Sequence, residues 1–231
     1  MRAMILAAGR GERMRPLTDA CPKPLLDVAG TPLIGWHLKR LAAAGIRDVV
    51  INHAWLGHML EERLRGGADY GVEIAWSAEG TALETAGGIA RALGLLGREP
   101  FLVVNGDIFC DYDFTRLFGV AAAMVADPGR LAHLVLVPNP EHHPVGDFVL
   151  SADGKVAAEG EGKLTFSGIG LYHPDLFLGI DPNRPSKLAP LLKAAMAQGR
   201  ASAERHDGLW LDVGTIERLD AARCRAAETP L

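Results

Sequence analysis

"LAAGRGERMRPLTDACPKPLL", residues 6–26, starts where an apolar run ends and then sets Arg10, Arg13, Arg15 and Lys23 among glycines and prolines. The run itself, "AMILAA" (3–8), reads as a buried strand. Gly9 and Gly11 follow it at once, and without side chains they let backbone N–H groups approach an anion closely. Pro16, Pro22 and Pro24 stiffen the loop around the four cations. Arginine offers a planar fork for phosphate oxygens and lysine a compact point charge, so the stretch predicts a grip on a nucleoside triphosphate. Arg10 and Arg15 divide evenly between that grip and a solvated surface, whereas Lys23, held between two prolines, favours the grip. The loop is not the dinucleotide fingerprint, because position 14 is Met and no acidic residue ends the second strand.

Outward from this loop, "DVVINHA" (48–54), "VEIAW" (72–76) and "PFLVVNGD" (100–107) are further short apolar runs, each ending in turn-forming residues. Between them, "TPLIGWHLKRLAAAG" puts Leu33, Trp36, Leu38 and Leu41 on one helical face, with Pro32 at its first turn and Gly45 at its stop. "LEERLRGG" (60–67) and "ETAGGIARALGLLG" (84–97) repeat the helical pattern. Alternation of strand and helix predicts an α/β fold: a Rossmann-like, mostly parallel mixed sheet with helices on both faces, binding ligands beyond the carboxyl ends of its strands. After about residue 130, "LAHLVLVP", "GDFVLSADGKVAA" and "LTFSGIGLYHP" read as strands separated by turns, hence a smaller β-rich lobe with a hairpin at "ADGK". Helices at "PSKLAPLLKAAMAQG" and "GTIERLDAARCRAA" bracket a short strand around "LWLDVG", which returns the chain to the main sheet. Residues 1–231 are expected to form a single domain, with 1–130 a nucleotide-binding half and 131–231 the β-rich lobe and the return.

A net charge of −4 over 231 residues argues against nucleic acid or a membrane surface as partner, since either calls for a basic surplus. The cations of the loop are therefore a local arrangement. Three cysteines, far apart and without a C-x-x-C pair, suggest neither a disulfide framework nor a thiolate zinc site, and a reducing cytoplasm is expected. The apolar start is too short for an export signal.

Leu6 to Leu26 resembles the signature of the sugar-1-phosphate nucleotidyltransferases almost throughout, and "NGD" (105–107) and "WLDVGT" (210–215) resemble that family's two later motifs in the same order. Within the family, "NHAWLG", "LETAGG", "GDF", "LTFSGI" and "KLAPLL" are most similar to the branch that acts on N-acetylmuramic acid 1-phosphate. The resemblance implies a glycosyltransferase-A-like fold and a Mg²⁺-dependent uridylyl transfer from UTP that yields UDP-N-acetylmuramic acid and pyrophosphate, in peptidoglycan recycling. Its partners would be these small molecules, taken by a monomer or small homo-oligomer. It assigns Arg13 and Lys23 to catalysis. Nucleotide contacts are implied for Ala7, Ala8, Gly9, Gly11 and Glu12, and for Glu79 and Gly80 after the third strand. Asn105, Gly146, Asp147, Ser167 and Gly168 would line the sugar pocket. The longer relatives carry a Glu-Lys pair before the "TFSGIG" strand; "EGEGKL" cannot be matched to it, which leaves the second phosphate-binding cation open. The β-helix of bifunctional relatives has no room after the last helix, so a monofunctional enzyme is expected.

Asp107 and Asp212 each follow an apolar strand, and two hard oxygen ligands suit Mg²⁺, which is commonly held by one or two carboxylates plus substrate phosphates. A turn or N-cap role remains open for Asp212 ahead of "GTIERL". "CDYD" (110–113) holds the D-x-D pattern of nucleotide-sugar glycosyltransferases, yet Asp113 is read as the cap of the helix beginning at Phe114. His142 and His143 are adjacent and diverge on an extended segment, so they read as loop residues rather than metal ligands. His53 and His58 face the mouth or cap their elements. The alternatives are another hexose 1-phosphate with dTTP, UTP or GTP, a D-x-D glycosyltransferase, and a non-catalytic nucleotide-binding subunit.

Overall fold

The computed structural model describes residues 1–228. In chain order its strands are β1 (Ala3–Leu6), β2 (Asp27–Val28), β3 (Thr31–Pro32), β4 (Asp48–His53), β5 (Glu73–Ala78), β6 (Phe101–Asn105) and β7 (Ile108–Cys110), then β8 (Ala132–Val137), β9 (Val149–Leu150), β10 (Val156–Ala157), β11 (Thr165–Tyr172), β12 (Ala201–Arg205) and β13 (Trp210–Asp212). The helices are α1 (Leu17–Ala20), α2 (Leu33–Ala43), α3 (Gly57–Leu64), α4 (Glu84–Leu96), α5 (Leu117–Ala126), α6 (Leu188–Ala197) and α7 (Ile216–Glu228). Seven strands form the central sheet in the order β12-β8-β11-β6-β1-β4-β5, in which only β11 runs against its neighbours.

Side chains along its central strands alternate between two cores, as the two-residue period of a strand requires. Ala3 and Ile5 of β1, with Val49 and Ile51 of β4, meet Ile34, Leu38 and Leu41 of α2 and Leu60 and Leu64 of α3. Met4, Val50 and Val103 face the other way, onto Ile89, Ala92 and Leu96 of α4, and Leu192 and Met196 of α6 share that core. Burial on both faces explains why these strands read as unbroken apolar runs rather than alternating ones. A third cluster packs Leu219, Ala222 and Ala226 of α7 against Met14, Trp36 and Phe109, so the last helix buttresses the loop that follows β1.

Two expectations about the second half are refined. The strands "LAHLVLVP" and "LTFSGIGLYHP" become β8 and β11 of the central sheet, leaving the β9–β10 hairpin and the bridge between Phe148 and Leu164 as the β-rich part. The sheet also gains β12, whose "ASAER" pattern mixes small and charged residues because it is an edge strand, and which therefore carries little apolar signal. The return strand β13 does not rejoin the central sheet. It pairs antiparallel with β7, placing Asp212 opposite Ile108, and the Val213 amide donates to the Asp107 carbonyl at 2.8 Å. No helix among the described residues is long and apolar enough to cross a membrane.

Candidate active site

β1 ends at Leu6 between Asn52 of β4 and Asn105 of β6, which lie in register on either side of it. The chain then turns through Gly9 to Gly11, whose φ of +68° suits glycine. A β-carbon at Gly11 would come within 2.9 Å of the Thr18 methyl, and the buried Thr18 hydroxyl donates to the Gly11 carbonyl at 2.8 Å. Met14 is fully buried and pins the far side of the loop. The result is a cavity of about 570 Å³ lined by residues 6–13 and by Lys23, Asn52, Glu79, Asn105 and Asp107.

The outer wall is a buried polar network. The Asn52 amide accepts from the Ala7 N–H at 2.9 Å and donates to Glu79 Oε1 at 2.6 Å, while Glu79 Oε2 accepts from the Leu83 amide at 2.8 Å. Glu79 is thus a buried carboxylate with donors on both oxygens, the condition under which burial is tolerated. Gly88 at the start of α4 is needed here, since a β-carbon would reach 2.5 Å from Glu79 Oε1.

Arg13, Asn105 and Asp107 also line a second cavity of about 380 Å³, together with His142, His143, Thr165, Phe166, Ser167, Trp210 and Asp212. The two chambers therefore share one wall. Lys23, only 9% exposed in its side chain, reaches this wall and contacts Asp107 Oδ2 at 2.7 Å. Asp212 Oδ2 is held by Arg218 of α7 at 2.9 Å, and His142 Nε2 lies 2.6 Å from the same guanidinium. The floor is fixed by the Trp210 indole N–H donating to the Ser167 carbonyl at 2.9 Å. Beneath the shared wall, burial lowers the pKa of His37 from 6.5 to about 4, and its ring Nε2 bonds the Ile108 carbonyl at 2.8 Å. Burial likewise pushes the Cys110 thiol up to about 11, so it is not a thiolate at neutral pH.

Of the sequence-assigned positions, Ala7, Ala8, Gly9, Gly11, Glu12, Arg13, Lys23, Glu79, Asn105 and Asp107 line the larger chamber, and Ser167 and Asp212 the smaller. Gly80, Gly146, Asp147 and Gly168 are not on either lining, and three of these four shape it from behind. Gly168, at φ +82°, leaves room for the Asn105 side chain, which a β-carbon would approach to 2.6 Å. Gly146 makes the same kind of room for Asn139 and the Lys163 carbonyl. Asp147 accepts from the Phe166 amide at 2.8 Å and faces His143 at 3.1 Å. The Ser167 hydroxyl is spent internally, donating to the Val135 carbonyl and accepting from the Ile169 amide.

Other candidates fall elsewhere. Asp113 caps the turn before α5 by accepting from the Thr115 amide and hydroxyl, which lowers its pKa, and Asp111 faces His206 at 2.9 Å. Neither residue of the D-x-D pattern lines a chamber. Arg15 pairs with Asp19 on the surface, Lys163 with Glu159, and His53 with Glu61 beneath Gly57. Sequence reasoning missed Asn52, Arg218, Trp210 and Phe166 as parts of the site. Asn52 carries a local signal, a polar residue at the carboxyl end of an apolar strand.

This strand–loop cradle, joined to a second chamber across a wall of Arg13, Lys23 and Asp107, belongs to a nucleotidyl transferase. The chain is a member of that family: the Nucleotidyl transferase model matches residues 2–229. It is 58% identical over 230 residues to the N-acetylmuramate alpha-1-phosphate uridylyltransferase of Neisseria meningitidis, covering 98% of both chains, and 40% identical to the protein of the same name from Caulobacter vibrioides, covering 98% of this chain and 97% of that one. Among solved structures it superposes with a TM-score of 0.84 on a Bacillus anthracis protein assigned as a glucose-1-phosphate thymidylyltransferase, over 99% of this chain and 96% of that one, at 21% identity, a likeness of fold. The family uses a divalent metal. Asp107 and Asp212 both face the smaller chamber, and no group of three or more potential ligands lies among the described residues. Two carboxylates fit an ion that takes its remaining oxygens from substrate phosphates and water.

Proposed function

We propose that the protein transfers uridylyl from UTP to N-acetylmuramic acid 1-phosphate, releasing UDP-N-acetylmuramic acid and pyrophosphate in the recycling of cell-wall sugar. The single observation that carries the reading is the pair of chambers meeting at Arg13, Asn105 and Asp107, and the near-full-length similarity to two uridylyltransferases supports the choice of base and sugar. UTP occupies the larger chamber. Its triphosphate lies along the backbone of Gly9 and Gly11, its base and ribose against Ala7, Ala8 and Glu79, and Glu12 borders the phosphates. The sugar phosphate enters the smaller one over Asn105 and Ser167, with Gly146, Asp147 and Gly168 setting the wall.

A phosphomonoester, whose second pKa is about 6, is already an oxyanion at neutral pH, so no general base is needed. One of its oxygens attacks the α-phosphorus of UTP, a new P–O bond forms, and the bond to the β-phosphate breaks with pyrophosphate as leaving group. Arg13 and Lys23 stand where negative charge grows and offset it. Asp107 and Asp212 would hold Mg²⁺, which would neutralise phosphate charge and fix the phosphates in line. Arg218 and His142 orient the Asp212 carboxylate. With all three cysteines unpaired, a reducing cytoplasm is the fitting compartment.

The test is pyrophosphate release with Mg²⁺ and UTP against N-acetylmuramic acid, N-acetylglucosamine, glucose and mannose 1-phosphates, repeated with dTTP, GTP, CTP and ATP. Release strongest with UTP and the muramic acid substrate supports the reading. Preference for another pair moves the substrate, and silence throughout leaves a nucleotide-binding subunit.

A further inference from the structure

Arg10 has no role in the chemistry described above, yet it lines the larger chamber and makes no ion pair with a carboxylate among the described residues. Its guanidinium carbon lies 4.6 Å from the centre of the Trp55 ring. Trp55 lies in the turn between β4 and α3 and is itself tied down: its indole N–H donates to the Thr18 carbonyl at 3.0 Å. Thr18 is the residue whose hydroxyl holds Gly11. One aromatic ring thus touches the glycine loop through Arg10 and, by way of Thr18, through Gly11. An arginine held over a ring face has N–H groups left for oxygen anions and loses little rotamer freedom when it binds them.

The other cations of the loop are committed elsewhere. Arg15 turns outward to Asp19, Lys23 contacts Asp107, and Arg13 belongs to both chambers and so stands where the α-phosphate must react. Arg10 lines only the nucleotide chamber. We propose that Arg10 binds the β- and γ-phosphates of the nucleotide, the part that leaves as pyrophosphate, and that Trp55 is its positioning residue. The inference rests on the nucleotide occupying the larger chamber. It gives "NHAWLG" a mechanical purpose, since Trp55 couples the end of β4 to the loop after β1.

Titration calorimetry with Mg²⁺ and three probes, UTP, pyrophosphate and UMP, separates this role from a purely structural one. Arg10→Ala is expected to weaken UTP and pyrophosphate about tenfold while leaving UMP within about twofold, the scale of one charge-assisted contact. Trp55→Phe keeps a ring face but loses the indole N–H to Thr18, so it should weaken pyrophosphate less than Trp55→Leu does. Trp55→Leu should weaken pyrophosphate about threefold. The double variant Arg10→Ala with Trp55→Leu should bind no worse than Arg10→Ala alone, because the two act as one unit. Unchanged pyrophosphate binding by Arg10→Ala, in a protein that still binds UTP, overturns the proposal while sparing the nucleotide site. Equal losses for UMP and pyrophosphate in Trp55→Leu overturn the positioning role and leave Trp55 as scaffold. A wild-type protein that binds neither UTP nor pyrophosphate overturns the nucleotide reading itself.

Discussion

The two chambers are built on opposite plans. The larger one is built around one continuous loop, residues 6–13, with further walls from Lys23, Asn52, Glu79 and the end of β6; the smaller one borrows its side chains from β6, the His142–His143 loop, β11 and β13. A cradle for phosphate needs N–H groups and positive charge, both of which a glycine-rich loop supplies locally. A pocket for a sugar needs particular donors and acceptors held at particular angles, and those are supplied by distant segments locked together by internal hydrogen bonds. The chemistry is expected to fail all at once when the shared wall is damaged, and one substrate at a time when either chamber is.

The largest effect should follow from the shared wall. Lys23→Ala or Asp107→Asn is expected to lower kcat about 10²- to 10³-fold in a folded protein, the scale of removing one group that stabilises developing charge. Near-normal turnover by purified Lys23→Ala would break the picture of a common wall.

The next effect concerns the ground beneath that wall. His37 is held neutral by burial, its pKa lowered from 6.5 to about 4, so between those values the unfolded chain takes up a proton that the folded chain does not. Stability should therefore be full above about pH 7 and decline as the pH falls from about 6.5 towards about 4, by roughly 3 kcal/mol in all. Urea unfolding at a series of pH values checks this. His37→Asn, which can still donate to Ile108, should show a shallower decline; an equal slope would assign the acid sensitivity elsewhere.

Two glycine substitutions set the nucleotide chamber against the shared wall. Gly11→Ala and Gly168→Ala each put a β-carbon at positive φ against a neighbour, Thr18 at 2.9 Å and Asn105 at 2.6 Å. The first is expected to raise the KM for UTP about tenfold with little change in that for the sugar 1-phosphate, while the second, because Asn105 stands on the shared wall, should raise both. A rise in the sugar 1-phosphate KM of Gly11→Ala as large as that for UTP would mean that the chambers are one site. Smaller again is Asn52→Ala, which leaves the Ala7 amide and one Glu79 oxygen unpaired in a buried setting and should cost about 1–3 kcal/mol of stability by thermal unfolding. Arg15→Ala, at an exposed pair with Asp19, should change neither stability nor turnover by more than about 0.5 kcal/mol.

The same contrast explains what the sequence revealed. The central sheet, its crossover helices and the glycine loop were legible because each rests on local periodicity or on residues whose conformational needs are strong. β12 was not, since an edge strand of small and charged residues has no apolar run to read. The placement of Asp212 was half legible: its strand was visible, but its partner is β7 rather than the central sheet, and pairing between short strands leaves no mark in either one. Trp210 and Phe166 take their places through contacts with Ser167 and Asp147, 43 and 19 positions away, and Arg218 through its grip on Asp212, none of which local periodicity marks. The refinement of the β-rich lobe has the same cause, as nothing local distinguishes a strand that extends the main sheet from one that forms a separate layer.

The most direct test of two chambers meeting at one wall is the stereochemical course at the α-phosphorus, followed by ³¹P NMR with a single diastereomer of UTP carrying sulfur at that phosphorus. Direct attack by a sugar phosphate in the smaller chamber on a nucleotide in the larger predicts inversion. Retention would mean that a side chain of the protein first takes up the uridylyl group, and would contradict a wall that only positions and neutralises.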